Sequence, residues 1–90
     1  MQIITLDGAR MTNRREAHHY LAQALHFPSY YGHNLDALYD CLTEFCGDTL
    51  LILQNAAAMH ASLGPYGTRL IAVFCDAARQ SDLRFFVDPA

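Results

Sequence analysis

The sequence predicts an α/β fold: a three-stranded parallel sheet with helices packed on it, in the order βααβααβ. Three observations support that expectation. Apolar runs of strand length occur at both ends and in the middle of the chain. Between them lie segments whose apolar residues recur at helical spacing. Strands joined through helical crossovers pair in parallel, and the crossovers lay the helices on the sheet. The 90 residues fit one domain, 1–90, with no repeat, linker or low-complexity tract to divide them.

Taken in order, Gln2–Leu6 reads as a strand closed by the turn signal Asp7-Gly8. Asn13 followed by Glu16 resembles a capping box and opens a helix over about residues 14–25, where Ala17, Tyr20, Leu21, Ala24 and Leu25 recur at helical spacing. Pro28 stops it. Asn34 is a good N-cap for a second helix running to about Phe45, ahead of Gly47. The continuous apolar run Leu50–Gln54 fits a strand buried on both faces. A short helix over Ala56–Ser62 leads to the Gly64-Pro65 break, and a longer one takes about Tyr66–Gln80. Leu83–Val87 closes the chain as a strand.

With 52% hydrophobic and 17% charged residues, the chain is a packed globule rather than a disordered segment. No apolar run approaches a membrane span, and Met1–Leu6 lacks the basic and long apolar parts of a secretory signal. Cys41, Cys46 and Cys75 have no disulfide-framework spacing, so reduced thiols in a cytoplasmic protein are expected. The charge layout says more than the net charge of −3. There is no lysine, and from Glu16 to Thr68 there is no arginine, while Glu16, Asp36, Asp40, Glu44 and Asp48 all fall in that stretch. Such a field repels nucleic acid and attracts a cationic partner.

The segment from Asn34 to Phe45 concentrates that field. At 100° per residue, Leu35, Ala37, Leu38, Cys41, Leu42 and Phe45 share one arc, which must face a core. Asp36, Asp40 and Thr43 lie opposite, with Glu44 at the edge. Like charges four residues apart cost an isolated helix roughly 0.2–0.5 kcal/mol, and the helix dipole offsets this only in the first turn, at Asp36. A helix shaped for stability alone would place a basic residue in this series. The preceding turn carries Tyr30 and Tyr31, side chains that give rigid contact area at low entropic cost.

Catalysis finds little support. Cys41 lies on the apolar arc with no histidine placed beside it, and Asp36 and Asp40 sit on an open helix face rather than in a pocket. His18, His19, His26, His33 and His60 lack zinc-site spacing and read as surface or capping side chains. No metal, catalytic group or cofactor is expected.

The run Tyr30-Tyr31-Gly32-x-Asn34-Leu35-Asp36-Ala37-Leu38-x-Asp40-Cys41-Leu42-Thr43, with Val73-Phe74-x-Asp76-Ala77 in the last helix, closely resembles the barstar family, intracellular inhibitors of the ribonuclease barnase. The resemblance spans essentially the whole chain. It implies a three-stranded parallel sheet with four helices, no enzymatic activity, and a partner that is a small basic ribonuclease of the barnase type, microbial and guanyl-preferring. It also implies roles. Asp40 would enter the enzyme's phosphate-binding site, Asp36 would pair with basic residues at its rim, and Tyr30 would pack on its catalytic histidine. Gly32, Asn34 and Thr43 match further contacts, and Asp76 an acidic contact on the last helix. Tyr31 and Glu44 complete the expected contact set through the paired tyrosines and the acidic stripe. Tyr39 and Phe45 stand where the family carries tryptophan, His33 replaces an acid, and Asp76 is one methylene shorter than the matching glutamate. Two other readings remain within protein binding: an immunity protein against a toxin ribonuclease, and an adaptor for another basic protein. The free chain is expected to be a monomer, without membrane or nucleic-acid contacts.

Overall fold

The computed structural model describes residues 1–89. The strands are β1 (Gln2–Asp7), β2 (Thr49–Gln54) and β3 (Arg84–Val87), and the helices are α1 (Arg14–Ala24), α2 (Leu35–Phe45), α3 (Ala56–Leu63) and α4 (Pro65–Gln80). The strands form one parallel sheet in the order β1-β2-β3, so the expected βααβααβ arrangement is the one observed. A short 3-10 turn, Gly8–Arg10, joins β1 to α1.

Local chemistry explains the element ends. The Asn13 side chain accepts from the Glu16 N–H at 2.9 Å and caps α1, which ends at Ala24, well before Pro28. Pro65 occupies the first turn of α4, where a missing N–H costs nothing, so that helix starts one residue earlier than the periodicity indicates. At the carboxyl ends of β1 and β2, Asp7 accepts from the Ala9 N–H at 3.0 Å and from Asn55 Nδ2 at 2.8 Å. Those hydrogen bonds, the Asn55 one foremost, hold the Asp7 carboxyl below its usual range. A Cβ on Gly8 would lie 2.6 Å from the Asn55 carbonyl oxygen, so the close approach of the two strand ends requires glycine there.

In a parallel sheet, residues paired across strands point to the same side. One row set, Ile4-Leu51-Phe85 and Leu6-Leu53, faces the helices and joins the core with Leu21, Leu38, Leu42, Met59, Leu70 and Phe74. Phe85 stacks on Phe74 of α4 at 4.8 Å, fixing β3 to the helical layer. The other row set, Ile3-Leu50-Arg84 and Thr5-Ile52-Phe86, is the outer face: Ile3 and Phe86 are exposed, and Leu50 and Ile52 are half-buried. This corrects the expectation that β2 is buried on both faces. An apolar run does not reveal how many helices are available to cover it, and here they cover one side. No helix among the described residues is long and apolar enough to cross a membrane.

Candidate functional site: the acidic face of α2 and its entry turn

α2 is built by its cap and its apolar arc. Asn34 Oδ1 accepts from the Ala37 N–H at 2.8 Å, while its Nδ2 donates to the Gly32 carbonyl at 3.2 Å, so one side chain both starts the helix and ties down the turn before it. His33 has φ 54°, in the left-handed region, which bends the chain sharply into that cap. Leu38, Cys41 and Leu42 bury the inner arc, and α2 packs chiefly against α4. Phe45 departs from the expected arc, with 46% of its surface exposed. It is the last helical residue, and Cys46, just past the helix end, fills the buried position instead.

On the outer face, Asp36, Asp40 and Glu44 are exposed, and none has a basic partner within ion-pair distance among the described residues. The field of Glu44 and Asp40 is felt by the neighbouring Cys41 thiol, whose pKa is raised first by burial and then by these two carboxylates. Burial likewise pushes Cys46 up to about 11. Both thiols are therefore held protonated, in keeping with structural rather than reactive cysteines. Thr43 is half-buried, and its hydroxyl is shared between the carbonyls of Tyr39 and Asp40, both at 3.1 Å. Asp76 lies exposed on α4 in an ion pair with Arg79, so among the described residues it is the one acid of the expected set that is ion-paired.

The two tyrosines part company. Tyr30 is 75% exposed, whereas Tyr31 is 5% exposed and belongs to the core. The pair therefore does not form one contact surface, as the sequence suggested; Tyr31 packs into the core beneath the turn. Its ring packs against Phe27 at 4.9 Å and His33 at 5.0 Å, and its hydroxyl lies 2.6 Å from His18 Nδ1. His18 Nε2 lies 2.6 Å from the Tyr66 hydroxyl. A neutral imidazole has one N–H and one bare nitrogen, so it donates to one tyrosine and accepts from the other. This buried bridge joins α1, the turn before α2, and α4.

His18 was expected at the surface and is instead 1% exposed. A signal for it does exist in the sequence: His18 stands three residues before Leu21 and seven before Leu25, on the apolar stripe of α1. Its partners, 13 and 48 residues away, leave no local trace. Burial, with a smaller contribution from His33, pushes its pKa down from 6.5 to about 4. The unfolded chain thus binds a proton that the folded one refuses, so the contribution of His18 to stability is complete above about pH 6.5 and is lost as pH falls towards 4. Across that window, His18→Gln should show a shallower fall in melting temperature with acid than the wild type. Parallel curves would remove His18 as the source.

The α/β scaffold thus carries a helix face of exposed acids with no ion-pair partner among the described residues, a charge pattern complementary to cationic groups, together with an exposed aromatic in the turn before it. Comparisons with known proteins place it further. The family model described as "Barstar (barnase inhibitor)" matches residues 1–88, and the chain belongs to that family. It is also similar to the Bacillus subtilis (strain 168) protein named "Putative ribonuclease inhibitor YrdF", with 38% identity over 81 residues, 89% of each chain. Proteins of this family are inhibitors and not enzymes, and this chain stands among them.

Proposed function

We propose that the protein is a cytoplasmic inhibitor of a barnase-type, guanyl-preferring ribonuclease, monomeric when free, which occludes the enzyme's cationic active site with α2 and the turn before it. The observation that carries this reading is the placement of Asp36 and Asp40 one helical turn apart on a capped helix, exposed and without an ion-pair partner among the described residues. Asp40, at mid-helix, takes the place of substrate phosphate; Asp36 pairs with basic groups at the rim; Tyr30 packs on the catalytic histidine. Gly32, Asn34, Thr43, Glu44 and Asp76 border the contact. Asn34 acts mainly by shaping the turn, since both ends of its amide are already engaged. Family membership and the name of the Bacillus relative support the inhibitory role.

The test is titration of the purified protein into a panel of small microbial ribonucleases with an RNA substrate. Near-stoichiometric loss of activity is expected for at least one, and no inhibition at micromolar concentration refutes the reading. Association should also be steered by charge. Raising salt from about 0.05 to 0.5 M is expected to slow association far more than it speeds dissociation, because screening acts on the encounter over long range. A flat association rate over that range would show that the acidic face does not guide the partner.

A further inference from the structure

Next to the acidic face lies a cleft of about 930 Å³ between the start of α1 and the start of α2. It shares Asn34 and Asp36 with the proposed contact surface, and from α1 it is lined by Arg14, Arg15 and His19, with His33 from the turn before α2. Arg14 is held in place by the Tyr66 ring, its guanidinium carbon 4.4 Å from the ring centroid. Neither arginine has a carboxylate within ion-pair distance among the described residues, although Glu16 and Asp36 line the same cleft. These are the last basic residues before the long arginine-free stretch, and the fold sets them directly beside it.

The geometry points to a second contact in this cleft, one that receives a carboxylate from the ribonuclease surface beside its cationic site. The inference rests on the inhibitor reading and deepens it: the recognition face is bipolar, with Asp36 and Asp40 set for cations and Arg14 and Arg15 for an acid. Two unpaired guanidinium groups, one fixed by stacking, present the forked donors that a carboxylate accepts in bidentate fashion. A nucleic-acid phosphate is the poorer match. A nucleic acid is anionic along its whole length, and beside the arginines it would meet Asp36 and Asp40, both exposed and outside ion-pair distance of any cation among the described residues. A protein surface brings its own cations to meet those acids, so a mixed-charge partner satisfies the whole face. Such alternation fixes register and excludes partners lacking the matching acid.

Long-range charge and local contact predict opposite signs, which makes the inference testable. Removing a positive charge from an inhibitor of a basic enzyme should tighten binding if only the overall field matters. Dissociation constants should be measured for the wild type, Asp40→Ala, the double variant Arg14→Gln/Arg15→Gln, and Arg84→Ala, against the ribonuclease of the panel that the wild type inhibits. Arg84 is an exposed residue of β3 on the outer sheet face and serves as the field-only control. The double variant is expected to bind about tenfold or more weakly, with Arg84→Ala unchanged or slightly tighter. Unchanged melting temperature would confirm that Arg14→Gln has not disturbed Tyr66; if it shifts, Arg15→Gln alone, which touches no ring, should still weaken binding. If Asp40→Ala weakens binding while both arginine variants bind as well as or better than wild type, the cleft is not a contact and the inhibitor reading stands. If Asp40→Ala is also without effect, or the wild type inhibits no enzyme, both fall.

Discussion

Asp40→Ala should cost more than about 2 kcal/mol of binding to the target ribonuclease, the threshold for an interface hot spot on a scale set by alanine scans that include the barnase–barstar pair itself. The cost arises on the enzyme's side. Its arginine, lysine or histidine side chains, gathered to hold phosphate, would be left desolvated and without an anion once the carboxylate is gone. In the free protein the same substitution should be neutral or slightly stabilising. Asp40 makes no side-chain ion pair among the described residues, and its removal relieves repulsion from Asp36 and Glu44, each four residues away. Titration calorimetry paired with thermal melts separates the two effects. Wild-type affinity in Asp40→Ala would make the acidic helix face a solvated surface and leave the inhibitory mechanism without its central group.

Leu38→Ala should produce the opposite pattern. Leu38 is fully buried, 200° around the helix from Asp40, in the core that joins α2 to the rest of the fold. Truncating it removes apolar burial and leaves a cavity, at a cost of roughly 2–5 kcal/mol. A chain of this size has about 5–13 kcal/mol of stability in all, so the melting temperature should fall by many degrees. Binding by the molecules that remain folded should match the wild type once the unfolded fraction is accounted for. A large intrinsic loss of affinity would mean that the shape of α2, not only its outer charges, depends on that one side chain.

The parts of this protein that were legible in its sequence are those governed by local rules. The caps at Asn13 and Asn34 act within three residues, and the arc of Leu38, Cys41 and Leu42 repeats within one helix; both pointed correctly to structure. The acids on the outer side of α2 followed from the same periodicity. What was not legible depends on residues far apart in the chain. Whether Tyr30 or Tyr31 faces water is decided by His18 and Tyr66, which arrive from other elements. The half-covered state of β2 depends on all the helices packing on one face, a choice that its apolar residues do not encode. Phe45 and Cys46 exchanged roles because the helix ends between them, and helix ends are the least determined part of any periodic pattern. The cleft at Arg14 and Arg15 joins the starts of two helices about twenty residues apart, so no motif of adjacent residues could have announced it.

The all-parallel sheet also determines how the molecule would respond to force. β1 and β3 are its two edges and both run alongside β2 in the same direction. Tension applied between the start of β1 and the end of β3 therefore runs along the strands and loads both ladders in shear. Evenly spaced hydrogen bonds then share the load and must yield together, rather than peel apart one by one. The ladder between β2 and β3 has four residue pairs against six between β1 and β2, so β3 is the mechanical weak point, held in reserve by the stacking of Phe85 on Phe74. The acidic helix lies between β1 and β2 in the chain, on the stronger side of that break.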